Sequence, residues 1–163
     1  MCFLNKFYLV IALLLATVIL FSEVQATPFS LKSLNAHGVE NSREDNDLAT
    51  IVMIYQPNCS WCKKQGKTLS IAFKQCRHSV NIALVGTKGN ARQLKKELKH
   101  YHKDLPAFIA DRKFLRAVGG YQASPTTLIF TAQGDLIMKK RGFIAQEKLA
   151  NAMSIVSKGA CHI

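Results

Sequence analysis

The chain has 163 residues, 48% of them hydrophobic, with 22 Lys plus Arg against 10 Asp plus Glu and a net charge of +12. That length suits one domain, or two very small ones, and excludes a large multidomain machine. The apolar fraction excludes a disordered chain, and the lack of Gly or Pro periodicity excludes a fibre.

Much of the apolar excess lies at the N-terminus. After Met1 to Lys6, with one basic residue, Phe7 to Phe21 is a run of 15 residues without a charge. Ser22-Glu23-Val24-Gln25-Ala26 follows and puts Val24 and Ala26 at the small-residue positions that a signal peptidase reads. The run is shorter than the ~20 residues of a spanning helix, so residues 1–26 read as a signal peptide cleaved after Ala26, with a retained anchor as the alternative. Either way the rest of the chain is expected on the far side of a membrane. Cleavage would remove Lys6 and Glu23, leaving 21 minus 9, still +12. It would also remove Cys2 and leave four cysteines, Cys59, Cys62, Cys76 and Cys161, an even count that permits disulfides in an exported protein.

Residues 27–48 are polar and read as a lead-in with at most one short element around Phe29 to Leu34. The domain proper is expected over 49–163. Ala49 to Tyr55 is a continuous, β-branched-rich apolar run, which fits a strand buried on both faces. Asn58-Cys59-Ser60-Trp61-Cys62 breaks it, and a helix follows from Trp61 to Gln75, with Leu69, Phe73, Cys76, Ile71 and Ala72 at helical spacing. Val80 to Val85 is a second strand. Gly89-Asn90 then precedes a basic amphipathic helix over Ala91 to Tyr101, with Leu94 and Leu98 on one side. Leu105 to Ile109 is a short strand or an extended loop, and Arg112 to Val118 is helical up to Gly119-Gly120. Thr126 to Thr131 and Leu136 to Lys140 are strands around a Gln133-Gly134-Asp135 hairpin turn. Gln146 to Ser157 is a last amphipathic helix, with Leu149, Met153 and Val156 as core positions.

Charge is concentrated in the middle of the chain: Lys63 to Arg116 holds 14 Lys plus Arg and three acids, a balance of +11. Export and the lack of a groove-reading motif argue against nucleic acid as a partner. A solvated basic face, an anionic membrane surface and an acidic partner remain.

The chemistry sits at Cys59-Ser60-Trp61-Cys62. A C-x-x-C between a buried strand and a helix places its first sulfur where free backbone N–H groups and the positive end of the helix dipole stabilise a thiolate. The thiol pKa falls below its ordinary ~8.5, so Cys59 can attack disulfides near neutral pH. Cys62, one turn on, can close the intramolecular bond. Lys63 and Lys64 add charge, although exposed lysines contribute little. Zinc would want a second close ligand pair, whereas Cys76 and Cys161 are single and far apart. The motif needs no metal and no cofactor. Copper handling by the same thiols and a purely structural disulfide are the competing uses.

With these residues in view, Ile51 to Leu69 resembles the active-site strand, motif and helix of the thioredoxin superfamily. Leu105-Pro106-Ala107-Phe108, Gly119-Gly120-Tyr121, Ser124-Pro125-Thr126-Thr127-Leu128, the Gly134-Asp135 hairpin and Arg141-Gly142-Phe143 follow in an order similar to the TlpA/ResA-like periplasmic thiol–disulfide oxidoreductases. The resemblance implies an α/β thioredoxin-like fold, a central mixed β-sheet flanked by helices on both faces. It implies a redox-active disulfide between Cys59 and Cys62, and a cis proline at Pro125 whose preceding residue, Ser124, pairs with substrate. Trp61 joins them as a substrate-binding candidate, serving either as a hydrophobic platform or as a shield for the disulfide. In the same arrangement Cys76 and Cys161 fall at the far ends of the first and last helices, which suggests a structural disulfide.

Two departures stand out. The acid that thioredoxin buries beneath its active site falls at Met53. The TlpA-like group has proline before the second cysteine and strong oxidases have histidine, where this chain has Trp61. An aromatic there looks more like the isomerases and glutaredoxins, so reductase, isomerase and oxidase are not separated. The five histidines, His37, His78, His100, His102 and His162, read as surface residues without partners. Two classes of function follow. One is an enzyme acting on exported cysteine-containing proteins with a membrane redox partner of the thiol-relay type, and expected to be monomeric. The other is a thioredoxin scaffold for copper delivery or for assembling a secretion or conjugation complex.

Overall fold

A computed structural model describes residues 31–35 and 47–163. The expected signal peptide of residues 1–26 lies outside the described residues, as does most of the lead-in. Strand β1 is Lys32–Ser33, β2 is Thr50–Tyr55 and helix α1 is Ser60–Cys76. Then come β3 (Asn81–Gly86), α2 (Ala91–Glu97) with a 3-10 turn at Leu98–His100, β4 (Ala107–Ile109) and α3 (Arg112–Ala117). The chain closes with β5 (Thr126–Phe130), β6 (Leu136–Arg141) and α4 (Gln146–Val156).

The six strands form one sheet in the order β1-β4-β3-β2-β5-β6. Strands β2, β3 and β4 are parallel; β5 runs antiparallel to β2, β6 to β5, and β1 to β4. The run of apolar residues in β2 follows from this central place, because both its faces are covered. Period-two alternation divides it. Ile51, Met53 and Tyr55 join Leu69, Ala72, Leu94, Leu149 and Met153 in one core, under α1, α2 and α4. Val52 and Ile54 join Ala83, Val85, Phe108, Phe114, Val118 and Leu128 in the other, under α3. The expected mixed sheet with helices on both faces is therefore present.

The differences from expectation are local. The short element expected around Phe29 to Leu34 is β1, and what differs is that it pairs with β4 and so extends the sheet beyond the 49–163 domain. The helix over Ala91 to Tyr101 stays α-helical only to Glu97 and tightens before Tyr101, whose extended backbone (φ −120°, ψ 172°) ends it. Ile71, which fits the apolar pattern of α1, is exposed, since the face against the sheet is taken by Gln65, Gly66, Thr68, Leu69, Ala72 and Cys76. Gly66, inside α1, is a close-approach position: a Cβ there would lie 2.2 Å from two Tyr101 ring carbons.

Candidate active site

Parallel strands β2, β3 and β4 end at Tyr55, Gly86 and Ile109, and the connections beyond their C-terminal ends build the site. Gln56-Pro57-Asn58 turns the chain out of β2, with Asn58 in the left-handed region at φ 59°. Cys59 then caps α1. Its sulfur accepts the N–H of Cys62 at 3.1 Å, while its carbonyl accepts the N–H of Lys63 at 3.1 Å. One of the orphan donors of the first turn is thereby aimed at sulfur. Cys59 and Cys62 are joined by a disulfide. Cys59 is 9% exposed and Cys62 is fully buried, so an approaching thiol reaches Cys59 first.

Pro125 opens β5, and the Ser124–Pro125 peptide bond is cis. Thr126 pairs with Ile54 in the β2–β5 ladder, which brings Pro125 to the Cys59 end of the sheet. A side-chain chain then ties the two loops together. The Tyr121 hydroxyl donates to Oε1 of Gln56 at 2.9 Å and makes a short hydrogen bond with Oγ of Ser124. Burial pushes the Tyr121 phenol up, partly offset by the Ser124 hydrogen bond. A third loop joins in, with the Lys88 ammonium 5.2 Å from the Tyr121 ring centroid.

On the other flank the exposed Trp61 ring lies 5.5 Å from that of Phe143. The N–H of Gly142, beside Phe143, donates to the Pro125 carbonyl at 2.7 Å. Trp61, Ser124 and Pro125 thus gather around the Cys59–Cys62 pair. Cys76 and Cys161 do not: they sit at the opposite end of α1, bonded to each other and almost completely buried.

Several residues at the site are not legible as functional from the sequence. Glu97 is 7% exposed, and its Oε1 accepts the Asn58 N–H at 3.4 Å. Its Oε2 lies 3.9 Å from Nζ of Lys63 and 4.0 Å from Nε2 of His100. A buried carboxylate therefore does stand beside the Asn58–Cys59 loop, supplied from α2 and not from β2, where Met53 fills the core. His100 and, through Asp104 and the Phe73 ring, His102 have partners after all. Tyr55 and Tyr101 meet edge-on at 5.7 Å, and burial with the Glu97 charge holds both phenols well above the ordinary tyrosine range. Gln65, one turn past Cys62, is fully buried, and its Oε1 accepts the Ile144 N–H at 2.7 Å.

The sheet order, the cysteine pair at the N-terminus of α1 and the proline loop beside it decide the fold. This chain has the thioredoxin fold. A putative thiol:disulfide interchange protein DsbE from Chlorobium tepidum superposes with TM-score 0.67 at 15% identity, covering 82% of this chain and 94% of that one. The exposed lipoprotein thioredoxin of Streptococcus pneumoniae strain TIGR4 matches with TM-score 0.67 at 15% identity, over 79% of this chain and 99% of that one. A secreted Mycobacterium tuberculosis disulfide oxidoreductase homologous to DsbE of E. coli matches with TM-score 0.63 at 13% identity, over 78% and 96%. No family model and no curated protein matches the sequence.

Proposed function

We propose that the protein is an exported thiol–disulfide oxidoreductase that reduces or isomerises disulfides of periplasmic proteins. The observation that carries this reading is the Cys59–Cys62 disulfide at the start of α1, with the Cys62 N–H already pointed at the Cys59 sulfur. When the pair is reduced, that N–H and the helix dipole favour a thiolate on Cys59. The thiolate attacks a substrate disulfide, forming a Cys59–substrate bond as the substrate S–S bond breaks and its leaving sulfur takes a proton. Cys62, deprotonated, then attacks the Cys59 sulfur, closing the intramolecular disulfide and releasing the second substrate thiol. Two electrons pass from the protein dithiol to the substrate disulfide. Isomerisation is the same first step with release by another substrate thiol.

In this reading Pro125 and Ser124 orient the substrate segment beside Cys59, and Trp61 supports it. Restoring the dithiol requires a thiol donor, for which a membrane redox partner of the thiol-relay type is the natural source. The secreted Mycobacterium tuberculosis oxidoreductase and the pneumococcal exposed lipoprotein support an extracytoplasmic location, in keeping with the apolar run at Phe7 to Phe21.

Trapping tests it. With Cys62→Ser, exposed to a disulfide-bonded protein such as insulin, a mixed disulfide at Cys59 should accumulate and be visible by non-reducing electrophoresis and peptide mapping. Failure to form any adduct at Cys59, under conditions where free glutathione reacts, would rule the exchange reading out.

A further inference from the structure

Trp61 is 54% exposed although it directly precedes a fully buried cysteine. Its ring and that of Phe143 share one cation: Nζ of Lys64 lies 5.2 Å from the first centroid and 4.8 Å from the second. Because Gly142 is bonded to the Pro125 carbonyl, the two rings form an apolar ledge running from the disulfide to the proline loop.

The rim of this ledge is cationic. Lys64 stands over it. Lys88 lies against Tyr121, which holds Ser124. Arg141 is exposed and faces Thr126, the residue after Pro125, in the β5–β6 ladder. Among the described residues, none of these three is in an ion pair. The acids of this neighbourhood are mostly engaged: Glu97 is buried against Lys63, and Asp111 caps α3 through the Phe114 N–H at 2.6 Å. Asp135 lies in the β5–β6 turn at the other end of the sheet. Glu147, in the first turn of α4, is the exposed acid nearest in sequence to Phe143.

An apolar ledge with unpaired cations around it, beside a reactive sulfur, is complementary to a particular kind of chain. The geometry points to a substrate class: cysteine segments that carry a large apolar residue and carboxylates beside the reacting cysteine, with Phe143 and Lys64 as specificity residues. This rests on the exchange chemistry proposed above. The ring of Phe143 extends the platform that Trp61 begins. Lys64, Lys88 and Arg141 attract the carboxylates, which raises the encounter rate and discriminates against basic segments. The covalent step is unchanged: the Cys59 thiolate displaces one sulfur of the substrate disulfide, and that sulfur leaves with a proton.

The test uses the full chain with its Cys59–Cys62 pair reduced and three oxidants: hydroxyethyl disulfide, and two disulfide peptides of equal length with Phe beside the cysteine and either Glu or Lys flanking it. The Glu peptide should react about tenfold faster than the Lys peptide at low ionic strength. The difference should collapse towards one in about 0.5 M salt. Lys64→Glu should cut the ratio several-fold, and a ratio between two peptides cancels any change in folding or thiol reactivity. Phe143→Ser should lower both peptide rates relative to hydroxyethyl disulfide. Reaction with hydroxyethyl disulfide at equal peptide rates would overturn the substrate class while leaving the exchange reading intact. Equal peptide rates together with sedimentation on phosphatidylglycerol vesicles would assign the basic field to a lipid surface and likewise overturn it. No reaction with any of the three would overturn the exchange reading itself.

Discussion

Helix α1 carries a disulfide at each end, and the two ends treat sulfur oppositely. At the N-terminus Cys59 sits where N–H groups are unsatisfied, and one of them reaches its sulfur. At the C-terminus Cys76 is the last helical residue, its carbonyl already accepting from Ser79 and Val80, and it faces the negative end of the dipole. Burial adds to the contrast. Cys76 is 2% exposed and Cys161 is fully buried, so a thiolate there is opposed by both desolvation and dipole. Cys59 and Cys62 are three residues apart and beside an exposed aromatic ledge; Cys76 and Cys161 are 85 apart and close the core. On the proposed function, placement and not the bond itself separates a disulfide suited to exchange from one suited to hold the fold.

The sharpest way to break this comparison is to delete one sulfur from each pair. Cys59→Ser should lower turnover of a disulfide substrate by at least about 10³-fold while costing no more than about 2 kcal/mol of stability, because the loop that bond closes is short. Cys161→Ser should do the reverse, keeping exchange but losing about 4–5 kcal/mol of stability, because the bridge closes a long loop in the unfolded chain. Parallel turnover and urea unfolding curves decide it, and a stability loss from Cys59→Ser as large as that from Cys161→Ser would erase the distinction.

The helix between the two ends is held by Tyr101. Gly66→Ala would drive a methyl into that ring and should cost about 1–3 kcal/mol, measured as a lower urea midpoint. Smaller and more specific is Glu97→Gln. Removing a negative charge from beside the Asn58–Cys59 loop should lower the Cys59 thiol pKa, read from the pH dependence of alkylation in the reduced pair. A rise instead would mean that Glu97 acts on the loop through geometry and not through charge.

Least in size is the effect of Tyr101→Phe. The Tyr101 hydroxyl is buried and has no partner among the described residues, so its removal should leave stability at pH 7 unchanged or raised by up to about 1 kcal/mol. Its high-pH signature is distinct. Both Tyr55 and Tyr101 are held neutral in the folded state by burial, Tyr101 with the Glu97 charge as the second cause. A raised folded pKa gives stability that is complete below the ordinary value of about 10 and drains away as pH climbs past it. Tyr101→Phe should therefore lose stability less steeply above pH 10 than the wild type, in denaturant melts at stepped pH.

Where a feature depended on neighbours in sequence, it could be read from sequence. The strand over Thr50–Tyr55, the helix behind Cys59 and the Thr131–Asp135 turn follow from local patterns and stand within a residue or two of expectation. Cys59, Cys62 and Pro125 could be singled out because motif and order carry them. Glu97 could not: it lies among lysines in a basic amphipathic helix, and the Asn58 N–H it accepts arrives from the end of β2, distant in sequence. Phe143 and Tyr121 enter the sequence reading only as parts of longer motifs, and it is the sheet that brings their loops beside Trp61 and Ser124. Gln65 carries no signal in the sequence, because the Ile144 N–H it accepts comes from the β6–α4 connection, far along the chain. Ile71 misled in the other direction, because helical spacing alone does not say which of two overlapping apolar stripes meets the sheet.

The most direct test of the central claim is a redox titration in glutathione buffers, with each cysteine's state read by differential alkylation and peptide mapping. The account predicts one two-electron transition, confined to Cys59 and Cys62, between about −270 and −120 mV, while Cys76–Cys161 stays oxidised throughout. Reduction of Cys76–Cys161 before Cys59–Cys62, or no transition at Cys59–Cys62 across that range, would contradict it.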